Sequence, residues 1–321
     1  MNLQLCMLAL SGALLSTIAG AQPWPSKPIS VIVPLAAGSP SDLAVRTVTD
    51  QLSSALGQQF RVENVLGAGG QIGAERLARA PRDGHTVGAM NNAIIAVLPN
   101  LNPKVGYDPF KSFAPVAVFV GLPTVISVHP SLPVTNVKEL IALAKKRPNE
   151  LLYVTGGVGS AQHLSTAMFE WMAGVKMVHV PHKGVVTAVQ DILGGHAHVF
   201  INSIGLPLPF IKAGKLRAIA TTGRERNALL PELPTVAESG VPGYEFSPWT
   251  GMFAPAGVPR EVITRLNGEI QKIMKLPEVR ERYEAQALEV LFNTPEEVTE
   301  RMTAEFARFG RVIREAGIKA E

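Results

Sequence analysis

Ser160 and His163 stand three positions apart near what reads as a helix start, and three-residue spacing puts two side chains on one helix face. A hydroxyl beside an imidazole is the minimum for nucleophilic catalysis. The flanking residues argue against it. No Gly-x-Ser-x-Gly elbow is present, and short-range helical spacing rarely aligns an imidazole on a neighbouring hydroxyl. His163 reads better as a brace for the loop before it. His179, His182, His196 and His198 are close in sequence, but no carboxylate or thiol sits near them at a recognisable ligand spacing. No metal site is read. Lys183 is the nearest candidate for an amine catalyst, without an evident partner. Gly67-x-Gly69-x-x-x-Gly73 approaches a dinucleotide fingerprint but misses its spacing by one residue, and the next strand ends at Asn91-Asn92 rather than at an acid. It reads as tight packing at a helix start, and no cofactor is expected.

Two other stretches share one plan. Val31-Ile32-Val33-Pro34-Leu35-Ala36-Ala37-Gly38-Ser39-Pro40-Ser41-Asp42 is an apolar strand, a loop of small residues and a helix start. Leu151-Leu152-Tyr153-Val154-Thr155-Gly156-Gly157-Val158-Gly159-Ser160 repeats it. A helix start carries unpaired N–H groups and a partial positive charge, and small residues let an anion approach that backbone. Taken as patterns, the two loops are either two walls of a pocket for a small anion or two ordinary capped helix starts.

The elements that must position them are legible as periodicities. Strand-like Ile29–Pro34 leads to the first loop, and the helix capped by Asp42 carries Val45, Val48, Leu52 and Leu56 on one face before Gly57 stops it. Strands are expected at Gln59–Val65, Thr86–Met90, Val116–Val120 and Thr124–Val128. Asn136 and Glu139 form a capping-box pattern for a helix over Val137–Lys146. The helix after the second loop places Leu164, Ala167, Met168 and Trp171 on one face. Further strands are expected at Met177–Val180, His198–Ile201 and Lys215–Thr222, with a helix over Val185–Leu193. The C-terminal region turns helical. One stripe holds Ile263, Leu266, Ile270 and Ile273, and a capping box at Thr294-Pro295-Glu296-Glu297 opens a helix with Val298, Met302, Phe306, Phe309 and Ile313 inward. Strands alternating with helices predict an α/β protein with parallel strands, which binds ligands at the carboxyl ends of its strands.

Composition bounds the partners. The 321 residues are 46% hydrophobic and 17% charged, enough for a sizeable core and for two domains. A net charge of +4, with no basic run interleaved with aromatics, points away from nucleic acid and from a membrane surface. Residues 1–21 carry no charge, hold an apolar core through Leu8, Leu10, Leu14, Leu15 and Ile18, and end in the small-x-small site Ala19-Gly20-Ala21. This reads as an export signal cleaved near Ala21, with periplasmic localisation expected, although no Lys or Arg precedes the apolar core. The one cysteine, Cys6, lies within it, so the mature chain is expected to have no disulfide.

Ordered motifs along the whole mature chain resemble a known family. They include Val33-Pro34-Leu35-Ala36-Ala37-Gly38-x-x-x-Asp42-x-x-x-Arg46, Gly67-Ala68-Gly69-Gly70-x-x-Gly73 and Ala80-Pro81-x-Asp83-Gly84-x-Thr86. Gly157-x-Gly159-Ser160-x-x-His163-Leu164, Val178-His179-Val180-Pro181-x-Lys183-Gly184 and Asp191-Ile192-Leu193-Gly194-Gly195 follow. Ile211-Lys212-Ala213-Gly214-Lys215-Leu216-Arg217-Ala218, Leu233-Pro234-Thr235-Val236-Ala237-Glu238-x-Gly240 and Gly251-x-Phe253-Ala254-Pro255-Ala256-Gly257 complete the set. The chain resembles the Bug-type periplasmic solute-binding receptors of tripartite tricarboxylate transporters.

That resemblance implies a type II periplasmic-binding-protein fold, two α/β domains with a ligand cleft between them. Domain 1 would hold residues 22–123 plus 249–321 and domain 2 residues 124–248, with crossings near Leu122–Thr124 and Ser247–Gly251. It implies a monomeric receptor that closes over a small organic carboxylate and delivers it to a membrane transporter. A ligand-sensing adaptor and an enzyme on the same fold are the alternatives. The expected ligand-binding residues are Leu35, Gly38, Ser39, Asp42 and Asn92 from domain 1, with Thr155, Gly156, Gly159, Ser160 and Asn202 from domain 2. Asp42 is expected to shape its loop rather than touch an anion. Four positions depart from the family pattern: Ser39 for a second Gly, Gly156 for Ser or Thr, His182 for Tyr, and Asn202 for Asp. Asn202 suits either an uncharged distal group or a second carboxylate that an Asp would repel.

Overall fold

The computed structural model describes residues 24–182 and 184–318; the expected export signal, Cys6 and Lys183 lie outside them. The chain runs β1 (Ile29–Val33), α1 (Pro40–Leu56), β2 (Phe60–Asn64), α2 (Gln71–Ala78) and β3 (Thr86–Asn91). A π-helical turn (Ala93–Val97), α3 (Leu98–Leu101), β4 (Phe113–Gly121) and β5 (Thr124–Val128) follow. Next are α4 (Val137–Lys146), β6 (Leu152–Thr155), α5 (Ala161–Ala173), β7 (Val178–Pro181), α6 (Val185–Leu193), β8 (Val199–Ser203), α7 (Leu208–Lys212) and β9 (Arg217–Thr221). The chain ends with β10 (Trp249–Pro255), α8 (Arg260–Ile273), α9 (Pro277–Glu284), β11 (Glu289–Val290) and α10 (Pro295–Glu315).

These strands build two sheets. One has the order β11-β4-β10-β3-β1-β2 and the other β7-β6-β8-β5-β9. Each is mixed rather than parallel as expected. β1, β2 and β3 are parallel, as are β7, β6 and β8, which is where strand–helix–strand units close right back onto the sheet. The strands that carry the chain between sheets run the other way: β10 pairs antiparallel with β3 and β4, and β5 pairs antiparallel with β8 and β9. Only Leu122 and Pro123 separate β4 from β5, so the chain passes straight from one sheet into the next. The return passes through Phe246 to Trp249, and the Leu122 N–H donates to the Pro248 carbonyl at 2.8 Å, tying the two crossings together.

The capping chemistry differs from expectation at two helices. Ser39, not Asp42, caps α1: its hydroxyl accepts from the Asp42 N–H, and Pro40 takes the first helical position, where a missing N–H costs nothing. At α4 the Asn136 side chain accepts from the Glu139 N–H, but the Glu139 carboxylate accepts from the Thr135 backbone N–H rather than from the Asn136 backbone N–H. The box at Thr294 and Glu297 is complete. In the glycine-rich loop, a Cβ on Gly73 would lie 2.7 Å from Pro34 Cβ and 2.9 Å from the Val65 carbonyl, the close packing its sequence implied.

The cores follow the sheets, with two elements shared: the π-helical turn, whose Ile94 and Ile95 pack in the first lobe and Ala96 and Val97 in the second, and α10. Val45, Val48 and Leu52 of α1 and Leu266 and Ile270 of α8 pack with β1 and β4 in the first lobe. Val298 and Met302 of α10 pack with Trp249 and Phe253 there too. Further along the same helix, Phe309, Val312 and Ile313 join Ile126, Leu164, Met168 and Phe246 in the core of the second lobe. Helix α10 is therefore a strut across both lobes. Phe306, expected inward, is half-buried and meets Phe110 edge-on at 5.3 Å.

Candidate functional site

A cavity of about 110 Å³ lies where the two lobes meet. Two helix starts reach it, through Ser41 of α1 and through Ala161, Gln162 and Ser165 of α5. Two strand ends reach it as well, Asn91 at the end of β3 with Asn92 after it, and Asn202-Ser203 at the end of β8. Leu122, Thr124, Phe246, Pro248 and Trp249 of the crossings complete the wall. The crossing strands set this convergence by register. Thr124 pairs with Ser203 and Val125 with Asn202, while Thr250 pairs with Asn91.

Polar side chains around the cavity are held by specific partners. The Gln162 amide donates to Asn202 Oδ1 at 2.9 Å, which leaves the Asn202 NH₂ group as the donor on the other side of that amide. Thr250 donates to the Ser41 hydroxyl at 3.0 Å, linking the return crossing to the first turn of α1. Buried Thr124 and Thr222 share a hydroxyl–hydroxyl hydrogen bond, and Thr222 donates to the Phe246 carbonyl at 2.7 Å. Among the described residues, no ionisable side chain lines the cavity. An anion here would be held by N–H and O–H dipoles, the arrangement a helix start supplies.

The first signature loop is shaped from below by a buried carboxylate. Asp42 is fully buried and accepts from the Gly38 N–H at 2.9 Å, from Arg46 Nε at 2.9 Å and from Asn64 Nδ2 at 2.8 Å. Asn64 also donates to the Leu35 carbonyl, so both ends of the loop are tied to one cluster. Burial by itself raises the Asp42 pKa. The hydrogen bonds from Arg46, Asn64 and Gly38 and the Arg46 charge together outweigh it and hold the carboxyl below its usual range. Asp42 thus shapes the loop, as expected of it, while Gly38 supplies the left-handed turn at φ +75°.

The second loop rests on aromatic rings. His163 stacks on His179 with ring centroids 4.2 Å apart, and His179 stacks on Tyr153 at 4.9 Å. His163 Nδ1 accepts from the Gly159 N–H at 3.1 Å, so the ring braces the loop. The Ser160 hydroxyl caps α5 by accepting from the His163 backbone N–H, and the imidazole is engaged by Gly159 rather than by that hydroxyl. Burial, reinforced by His179, lowers the His163 pKa to about 4. Thr155, fully buried, shares a 2.7 Å hydrogen bond with His179 Nε2. A Cβ on Gly159 would lie 3.7 Å from Leu101 at the end of α3.

Of the ten residues expected from sequence, Asn92 and Asn202 line the cavity. Leu35, Gly38, Ser39 and Asp42 lie in or under the first loop, and Thr155, Gly156, Gly159 and Ser160 in or under the second, outside the cavity wall. The wall also holds Ser41, Asn91, Gln162, Ser165, Ser203, Phe246 and Trp249, none of them among those ten. Ser41 and Gln162 were findable as the positions just inside each capped helix. Phe246 and Trp249 carry no local signal, since only the return crossing brings them here.

His198, considered above for a metal, uses its Nδ1 to accept from the Leu152 N–H, and no metal-binding group of three or more ligands occurs among the described residues. A larger groove of about 530 Å³ lies elsewhere, beside Ser30 and Thr86 at the amino ends of β1 and β3. Its Arg76 and Arg79 are already paired with Glu63 and Glu75.

The model of the tripartite tricarboxylate transporter family receptor matches residues 44–318. The chain belongs to that family. Protein BugT of Bordetella pertussis is 33% identical over 319 residues, 98% of each chain. Among solved structures, R. palustris Rpa4515 with adipate is 35% identical at a TM-score of 0.81, covering 92% of this chain and 99% of that one. MatC from Rhodopseudomonas palustris with bound malate is 29% identical at a TM-score of 0.77, covering 90% and 99%. The two-sheet architecture of this tripartite tricarboxylate transporter family receptor is that of periplasmic solute-binding proteins, and solute binding is the role of its family. Among the described residues, no helix is long and apolar enough to cross a membrane.

Proposed function

We propose that this receptor captures a small organic carboxylate in the inter-lobe cavity, closes over it, and delivers it to a membrane transporter. The observation that carries the reading is the convergence of two helix starts and eight amide or hydroxyl side chains on one cavity without an ionisable wall residue. Such a site favours a compact anion through many neutral donors, each charge-assisted bond contributing roughly 1.5–3 kcal/mol when desolvated. Adipate and malate, bound by the two relatives, are the natural first probes. The chain performs no chemistry in this reading: Ser160 and His163 are used as cap and brace.

The signature loops complete the site on closure, with Gly38 and Ser39 on one side and Gly156, Gly159 and Ser160 on the other. Leu35 and Thr155 anchor these loops, and Asp42 holds the first in shape. Asn92 and Asn202 face the ligand. The domain division at residues 123 and 249 fits the change of sheet, with the end of α10 resting on domain 2. The chain is exported to the periplasm, cleaved near Ala21, and acts as a monomer.

A thermal-shift panel of carboxylates on the mature protein tests this. A ligand that binds only the folded state raises Tm by mass action, by about 2.7 kcal/mol of stability at a hundredfold excess over Kd. Adipate, malate or another small carboxylate is expected to raise Tm, and no shift across the whole panel would refute the receptor reading.

A further inference from the structure

The cavity wall has a support that lies outside it. Glu305, in the middle of α10, is only 7% exposed, and the Trp249 indole N–H lies 2.9 Å from both of its carboxylate oxygens. The Asn92 amide lies near enough to that carboxylate to favour its charged form. Trp249 and Asn92 come from different parts of the chain, and both line the cavity. Resting on the receptor reading above, we propose that Glu305 is a positioning residue for ligand capture, holding the Trp249 ring and the Asn92 amide in register at the cavity wall.

The side-chain chemistry explains why a carboxylate suits this place. Two donors converge on it, and a carboxylate offers two acceptor oxygens and no donor. A glutamine would offer one acceptor oxygen and an NH₂ group, so one of the two donors would face another donor. Burying a carboxylate is costly, and desolvation raises the Glu305 pKa, against the opposing pull of the Trp249 bond, Arg308, Arg301 and the Asn92 amide. Arg308 is itself shared with Glu245 at 3.5 Å.

The position in the fold adds a second reason. Glu305 sits between the part of α10 packed in the first lobe, at Val298 and Met302, and the part packed in the second, at Phe309 and Val312. Trp249 is the first residue of the returning strand. Glu305 therefore joins the strut, the return crossing and the end of β3 at one point.

Two measurements on the mature chain decide it. The first needs no ligand: crystal structures of the wild type and of Glu305→Gln. The indole of Trp249 or the amide of Asn92 is expected to leave its place at the wall in the variant, and both unmoved would overturn the proposal. The second is calorimetric titration with adipate as the probe. Glu305→Gln is expected to bind about tenfold more weakly, with far-UV circular dichroism unchanged, as loss of a buried charge-assisted hydrogen bond predicts. In a Trp249→Phe background, which lacks the indole donor, the same change is expected to cost about twofold or less, because the two residues act as a unit. Undiminished affinity, or an equal loss in both backgrounds, would overturn the proposal. If Gln at 305 does not fold, Glu305→Asp, which keeps the charge but withdraws the oxygens by one methylene, serves in both arms with the same expectations. If adipate fails to bind the wild type, that result counts against adipate as ligand, and the crystallographic arm alone decides the positioning role.

Discussion

At the scale of single residues, the side chains singled out by type act mostly by holding backbone in place. Asp42 is a loop anchor because three donors converge on a fully buried carboxylate. Its folded pKa lies below the ordinary 3.8, so the stability it confers is fully present above that value and is lost as pH falls through the folded pKa. Acid unfolding followed by circular dichroism should show this as a slope that Asp42→Asn flattens, together with a loss on the order of 2 kcal/mol at neutral pH from the orphaned donors. His163 behaves in the same direction for the opposite reason. Its neutral ring accepts from Gly159, and its pKa falls from 6.5 to about 4. The unfolded chain then binds the extra proton first, so stability declines as pH drops from 6.5 toward 4, and His163→Gln should remove that part of the decline. Ser160→Ala deletes the α5 cap and should cost about 1 kcal/mol of stability by denaturant titration. It should also weaken binding of the panel's best carboxylate, and unchanged affinity would remove the second loop from the site.

At the scale of elements, the strand–loop–helix units were readable because each carries its own punctuation. Gly57 and Gly174 take left-handed conformations where α1 and α5 stop, and Thr294 closes a full capping box. The misreadings were local as well. Ser39 and Asp42 are both good caps, and the choice between them depends on Asp42 being needed by Arg46 and Asn64, which lie outside the helix start. The reversed direction of β5 and β10 leaves no mark on their composition, since a buried strand is apolar whichever way it runs. Gly251 shows what the close pairing of β10 demands: an added Cβ would sit 2.7 Å from the Ala117 carbonyl. Gly251→Ala should therefore destabilise the first lobe by roughly 1–3 kcal/mol in chemical denaturation, because the obstacle is backbone.

At the scale of the whole molecule, the lobes are joined by two hydrogen-bonded crossings and by α10. Phe309 lies in the core of the second lobe and meets Phe246, next to the return crossing, at 5.8 Å. Phe309→Ala should cost about 3–5 kcal/mol and should separate the melting of the two lobes in calorimetry, since it cuts the strut rather than a single core. Closure should appear in small-angle scattering as a smaller radius of gyration when malate or adipate is bound, with the lobes otherwise unchanged.

The sequence by itself determined most of the helices and strands and the glycine-dependent loops, because those depend on near-neighbour sterics, capping and hydrophobic period, and its ordered motifs carried the resemblance to the family. It also placed Asn92 and Asn202 at strand ends. Only the tertiary structure decided which residues share a cavity. Ser41, Gln162 and Trp249 meet there through the antiparallel crossing strands, and Glu305 reaches Trp249 and Asn92 from a helix that belongs to both lobes. Contacts between residues so far apart in the chain are set by sheet direction and register, and no local pattern records either.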